Sequence, residues 1–171
     1  MNHKTFFLRL PVVLLLVAAC STSMVYAKDT KEEQANLAQA HAFYDEVVNQ
    51  GKFELINDFM SEDFVEHESL AGFEPTREGV AQFFQMFRQG FPDLKFTIDF
   101  SFVKDDRVVS YITITGTHKG EFMGMPATGK EINIKAIDIV RVKDGHAVEH
   151  WGLTDNMTMM GQLGMMGGGG H

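Results

Sequence analysis

The chain has 171 residues, 44% of them hydrophobic, with 15 Phe against one Trp and three Tyr. That length suits one domain with a real core and is too short for two, and the Phe excess points to an apolar interior or pocket rather than a sugar- or nucleic-acid-binding surface. The formal charge of −8 and the lack of any Lys/Arg cluster argue against nucleic acid as a partner, because phosphate binding needs concentrated cations.

Residues 1–20 read as a secretory leader. Lys4 and Arg9 form a short cationic start, and Leu10 to Ala19 form an apolar run, too short for the roughly 20 residues that span a bilayer as a helix. Val17-Ala18-Ala19-Cys20 resembles a bacterial lipobox, which would make Cys20 the lipidated first residue and a membrane anchor. Val25-Tyr26-Ala27 is the alternative cleavage site, releasing a soluble protein from Lys28. Either way the expected location is outside the cytoplasm, in a bacterial periplasm. With one cysteine in the chain, no intramolecular disulfide forms.

Residues 28–36 are charged and read as a tether grading into a helix. Leu37, Ala40, His41, Tyr44, Val47 and Val48 recur at helical spacing, with Gly51 as the C-terminal stop. Phe53 to Met60 fits a second short helix, and Phe64-Val65-Glu66-His67 a short extended segment. Thr76 is placed to cap a third helix, whose apolar stripe is Val80, Phe83, Phe84 and Phe87 and which ends at Gly90 and Pro92. From there the period changes to two. Leu94–Val103, Arg107–His118, Glu131–Val142 and His146–Asp155 read as strands, the last pair joined by an Asp144-Gly145 hairpin turn. Helices followed by consecutive strands predict an α+β fold, a curved antiparallel sheet with helices on one face. The tail begins as a short helix and ends, over 165–171, in a flexible Met/Gly run.

Nine short motifs follow one another in an order that carries a resemblance. They run from Phe43-Tyr44 and Asn49-Gln50-Gly51 through Asp63-Phe64-Val65-Glu66-His67, Phe91-Pro92-Asp93-Leu94 and Gly116-Thr117-His118-Lys119-Gly120. Gly129-Lys130, Asp144-Gly145, Glu149-His150-Trp151 with Asp155, and Gln162-Leu163-Gly164 complete the series. Over residues 37–164 the chain resembles the SnoaL-like polyketide cyclase (ester cyclase) family of the NTF2-like superfamily. The resemblance implies a cone enclosing one apolar pocket, commonly in a homodimer, in which a carboxylate closes a ring by an intramolecular aldol step without metal or cofactor. It places that carboxylate at Asp155 and puts His67, His118 and His150 at family positions.

The residues themselves leave alternatives open. Strand alternation puts Trp151, Leu153 and Asp155 on one face, so a pocket-facing Asp155 would be a desolvated base. Directly before a helix, however, Asp is also a favoured N-cap. Each of His67, His118 and His150 either orients a substrate oxygen or bonds to nearby backbone. Asp138 shares a strand face with Ile134, Ala136 and Val140, so it needs either a cross-strand Lys or Arg or a role as a second pocket acid. Trp151 is the aromatic expected in the pocket wall, and Phe83, Phe84 and Phe87 are expected to be plain core. Met157, Met159, Met160, Met165, Met166 and His171 would suit a soft ion such as Cu(I), but Met is equally a gap-filler, and no zinc-type spacing is present. No metal or cofactor is therefore expected. Two functions remain: an exported, cofactor-independent acid/base enzyme acting on a small hydrophobic carbonyl compound (a cyclase, isomerase or hydrolase), or a binding module that holds a hydrophobic molecule without chemistry.

Overall fold

The computed structural model describes residues 29–68, 70 and 72–165. The leader, both cleavage sites, Cys20, Met166 and His171 lie outside the described residues. The first helix, α1 (Lys31–Ala42), begins six residues before the expected domain start. The reason is a complete capping box: the Glu33 amide donates to the Thr30 hydroxyl, and the Glu33 carboxylate accepts from the Thr30 amide. Glu33 also accepts from the Asp105 amide in the β2–β3 turn, so the charged segment is tied to the body rather than left as a tether.

Phe43–Asn49 continues α1 in the wider π-helical geometry, a form often found where a helix presents a functional side chain. Gly51 follows with φ of 70°, the left-handed conformation that a glycine adopts without strain. A 3-10 turn (Phe53–Leu55) leads into the short α2 (Ile56–Phe59). The segment expected to be briefly extended is a full strand, β1 (Met60–Glu66). The third helix, α3 (Arg77–Gly90), starts at the Thr76 cap, whose hydroxyl accepts from the Gly79 amide. Then come β2 (Lys95–Lys104), β3 (Arg107–Thr117), β4 (Glu131–Lys143), β5 (His146–Thr154) and α4 (Asn156–Leu163).

The sheet order is β1-β5-β4-β3-β2. Pairing is antiparallel except between β1 and β5, which run parallel. The sheet is curved and does not close, and the helices cover its inner face: an α+β, NTF2-like fold. Alternation on β3 and β4 buries Ile112, Ile114, Ile132, Ile134 and Ala136 against Tyr44, Val48, Phe87, Phe91 and Phe96 from the helices and β2. Each fully buried aliphatic side chain contributes about 1.5–3 kcal/mol.

One irregularity decides which side chains of β5 face inward. Ala147 lies opposite Val142, but Glu149, two residues on, lies opposite Arg141. Val148 is the extra residue of a β-bulge. Upstream of it Ala147 points in; downstream, His150 and Thr154 do. Without the bulge the inward set would be Glu149, Trp151 and Leu153.

Candidate active site

Between the helices and the concave face of the sheet lies a cavity of about 400 Å³. Its walls are mostly aromatic: Phe43, Phe59, Phe64, Phe83, Phe84, Phe87, Phe96 and Phe122. The α3 phenylalanines expected to be plain core thus line the cavity. Met123, Met125, Met159, Met160 and Met165, from the β3–β4 connection and the C-terminal helix, complete the lining; the side chains are flexible and polarisable and adapt to an irregular occupant.

Against this apolar wall stands one polar cluster. Asp138, inward on β4, is 8% exposed, and Glu66, the last residue of β1, is 6% exposed. Among the described residues neither a Lys nor an Arg pairs with Asp138, contrary to the cross-strand pairing considered from sequence. The Tyr44 hydroxyl, delivered by the π-helical stretch, donates to Asp138 Oδ2 at 2.5 Å. On the other side His150 Nε2 lies 3.6 Å from Asp138 Oδ1. His150 Nδ1 donates to the Glu66 carboxylate, at 2.7 Å to Oε2 and 2.8 Å to Oε1. Glu66 Oε1 also accepts from the Glu68 amide at 2.8 Å, which fixes the path of the chain leaving β1.

Strand register sets this up. Glu66 is the direct neighbour of His150 across the parallel β1–β5 pair, and the His67 amide donates to the His150 carbonyl at 2.9 Å. Val140 is opposite His150 and Gly152 opposite Asp138, so His150 and Asp138 are diagonal neighbours on the inner face.

The electrostatics follow from that geometry. Burial alone would lower the His150 pKa, but the close carboxylates of Asp138 and Glu66, the second hydrogen-bonded to Nδ1, outweigh it and raise it to about 10. The imidazole is therefore a cation at neutral pH, donating from Nδ1 to Glu66 and facing Asp138 with Nε2. Burial and the Asp138 charge push the Tyr44 phenol well above its ordinary value, so it stays a donor. Glu68 also lines the cavity, and burial, followed by the charge of Asp138, raises its carboxyl.

The other residues singled out from sequence are placed elsewhere. Asp155 is exposed and caps α4: its Oδ1 accepts from the Thr158 amide at 3.0 Å and its Oδ2 from the Thr158 hydroxyl at 2.7 Å. Those two bonds, hydroxyl first, lower its pKa, the opposite of what a desolvated base requires. Trp151 and His67 do meet, with rings stacked at 4.7 Å and an interplanar angle of 5°, but neither lines the cavity. His67 reaches Glu149 at 3.4 Å, and Glu149 is bonded to Arg141, all on the outer face. His118 is completely buried rather than at a rim. Its ring stacks on Phe91, and its Nδ1 accepts from the Thr128 amide at 3.3 Å.

Of the sequence candidates, then, the fold gathers Asp138 and His150, and adds Tyr44, Glu66 and Glu68. A signal for the glutamates was present: Phe64 and Glu66 share one face of β1, Glu68 follows at the same parity, and Phe64 is an obvious inward residue. Tyr44 was visible only as part of a helical apolar stripe, though a buried Tyr hydroxyl always needs a partner.

Comparison with known proteins agrees with this architecture. IdmH from Streptomyces antibioticus, assigned as a polyketide cyclase, superposes with a TM-score of 0.67 at 34% identity, covering 75% of this chain and 98% of its own. A Bacillus cereus protein with the same assignment gives 0.71 at 34% identity, covering 82% and 87%. AclR from Streptomyces galilaeus, assigned as a hydroxylase, gives 0.70 at 26% identity, covering 79% and 99%. A search of curated proteins finds no match. The profile of the SnoaL-like polyketide cyclases matches residues 38–163, and the chain belongs to that family.

Proposed function

We propose that the protein is an acid/base enzyme that removes the α-proton of a hydrophobic carbonyl compound held in the cavity, with Asp138 as the base. The observation that carries this reading is the isolation of the Tyr44–Asp138–His150–Glu66 cluster at one end of an otherwise aromatic and thioether-lined cavity. Asp138 has the Tyr44 hydroxyl as donor on one side and the charged His150 ring on the other, so a carboxylate there is stabilised while remaining open to the cavity. A proton leaves the carbon, the Asp138 O–H bond forms, and the electron pair moves into an enolate. The imidazolium of His150 supplies a fixed positive charge beside the developing negative one, in a site screened from water.

The enolate then adds to a carbonyl of the same molecule in a cyclase, or is reprotonated in an isomerase. A dry cavity of about 150 Å³ accommodates a benzene. One of about 400 Å³ accommodates a fused-ring ketone.

The test uses 2-tetralone, a bicyclic ketone with acidic α-protons, incubated with the domain in D2O and followed by proton NMR. Wild-type protein is expected to accelerate deuterium incorporation, and Asp138→Asn to lose that acceleration. Acceleration that survives in Asp138→Asn would sink the assignment. Saturable binding of 2-tetralone with no exchange would favour the non-catalytic carrier instead.

We further propose that the domain works outside the cytoplasm, anchored through Cys20, and pairs with a second copy through the outer sheet face. Exposed Phe100, Phe102, Ile137 and Leu153 support the pairing.

A further inference from the structure

Glu68 is the cavity residue that the reaction above does not use, and its position is unusual. It follows β1 on the inward parity of Phe64 and Glu66, and its carboxyl rests over the backbone of β5 at Gly152. A Cβ added to Gly152 would collide with Glu68 Oε2, and would lie 2.9 Å from both Glu68 Cδ and the His150 ring carbon Cε1. The space a side chain would fill on the inner face of β5 is thus taken by the carboxyl of Glu68. Gly152 is the register partner of Asp138 on β4. Cβ atoms of directly opposed residues lie about 4.5–5.5 Å apart, so the Glu68 carboxyl stands beside the Asp138 side chain, facing the same cavity.

Two carboxyls brought this close in a low-dielectric site do not both ionise readily. Asp138 has the Tyr44 hydroxyl as donor and the His150 ring 3.6 Å away as an ion-pair partner, while Glu66 holds the other nitrogen of His150. Of the adjacent pair Asp138 and Glu68, Glu68 is left as the one to keep its proton. The titratable groups facing it are Asp138 from β4, His150 from β5, Glu66 from β1 and Tyr44 from the π-helical stretch. Burial first, then the charge of Asp138 and more weakly that of Glu66, raise the Glu68 carboxyl, while the His150 charge and the Thr154 side chain oppose the rise without cancelling it.

We infer that Glu68, seated over Gly152 beside Asp138, is the general acid that protonates the substrate's carbonyl oxygen while Asp138 takes the α-proton. This rests on the proton-transfer reading of Asp138. The step balances: the substrate C–H and the Glu68 O–H bonds break, and the Asp138 O–H and substrate O–H bonds form. The electron pair of the C–H bond becomes the enol double bond, and the pair of carboxyls ends with its charge moved from Asp138 to Glu68. An α-carbon and its carbonyl oxygen are near neighbours, so acid and base must also be neighbours, as these two are. In a ring closure the enol O–H returns its proton to the Glu68 carboxylate as the carbonyl re-forms, and the proton held by Asp138 passes to the new alkoxide, which restores both groups.

The experiment has two arms. In the first, carbon-detected NMR follows the Glu68 carboxyl in the domain without any probe. It is expected to titrate above the ordinary Glu value, and to move down toward it in Asp138→Asn. In the second, the pH dependence of 2-tetralone exchange is measured for wild type, Glu68→Gln and Gly152→Ala.

Wild type is expected to lose rate as pH rises through the Glu68 titration. Glu68→Gln should be about tenfold or more slower and lack that alkaline limb. Gly152→Ala, which displaces the carboxyl without removing it, should also lack the limb. Glu68 titrating at or below the ordinary value, or an alkaline limb unchanged in Glu68→Gln, overturns the inference. Wild-type protein that exchanges no probe overturns the base assignment of Asp138, while the carboxyl titration still decides where the Glu68 proton resides.

Discussion

The two faces of β4 and β5 use similar residues for opposite purposes. Inward, Asp138, His150 and Thr154 border an aromatic cavity, where the His150 ring lies 3.6 Å from the Asp138 carboxylate and donates to that of Glu66. Outward, Asp155, His67 and Trp151 include the same chemical types, but Asp155 closes a helix end and His67 lies flat on an indole. The inner groups have strongly raised pKa values at His150 and Tyr44, whereas the outer carboxylate is lowered by ordinary capping bonds. Residue type therefore says little about function here. What separates the faces is access to water, because a charge interaction of a few ångströms is worth several times more in a buried site than at the surface.

The comparison is sharpened most by the pair Asp138→Asn and Asp155→Asn in the exchange assay. The first is expected to cost roughly 10²- to 10⁴-fold in rate, the usual scale for losing a general base. The second should change the rate less than about twofold, since Asn caps a helix as well as Asp does. A reversed order would move the chemistry to the outer face.

His150→Gln should have the next largest effect, on stability. It leaves Glu66 and Asp138 close together without their cation, and breaking one partner of a buried ion pair typically costs about 3–5 kcal/mol. Urea unfolding at pH 7 measures this; a loss under 1 kcal/mol would mean that water screens the cluster.

A pH series tests the same cation. Folded His150 holds its proton up to about 10, against about 6.5 in the unfolded chain. Between those values the folded state binds more protons, so stability falls as pH rises, by at most about 1.4 kcal/mol per unit from this group. The contribution is present in full below about pH 6.5 and gone above about pH 10. His150→Gln should flatten that slope, and an unflattened slope would assign it to other groups.

The smallest folding effect is expected at Leu153→Lys on the outer face. Leu153 is 73% exposed, so monomer stability should stay within about 0.5 kcal/mol. Sedimentation of the same variant reports on the proposed pairing of copies: a wild-type dimer that becomes a monomer supports it, and a wild-type monomer removes it.

The helices, four of the strands and their order were legible in the sequence because they rest on local chemistry: the Thr76 cap, the Asp144-Gly145 turn, and the change of period after Pro92. The family was legible for the same reason, since its motifs are mostly caps, turns and strand ends. The Thr30–Glu33 box was equally local and was simply masked by the charged look of residues 28–36. The candidate site was legible only in part. Asp138 and His150 were among the candidates, but their joint use was not visible, and Asp155 and Trp151 stood ahead of them.

Sequence alone determined that Asp138 lies on an apolar strand face and that Phe64-Val65-Glu66-His67 is a short extended segment. Period-two alternation is a property of the chain itself. It did not determine which side of β5 faces the cavity, because one extra residue, Val148, reverses the parity of everything after it, and a bulge exists only relative to the partner strand. Nor did it determine that β1 pairs with β5 across more than eighty residues of chain, which brings Glu66 to His150, or that Gly152 leaves room for Glu68. Those are facts of register and close packing between distant segments, and the tertiary structure decides them because only there do the segments have neighbours.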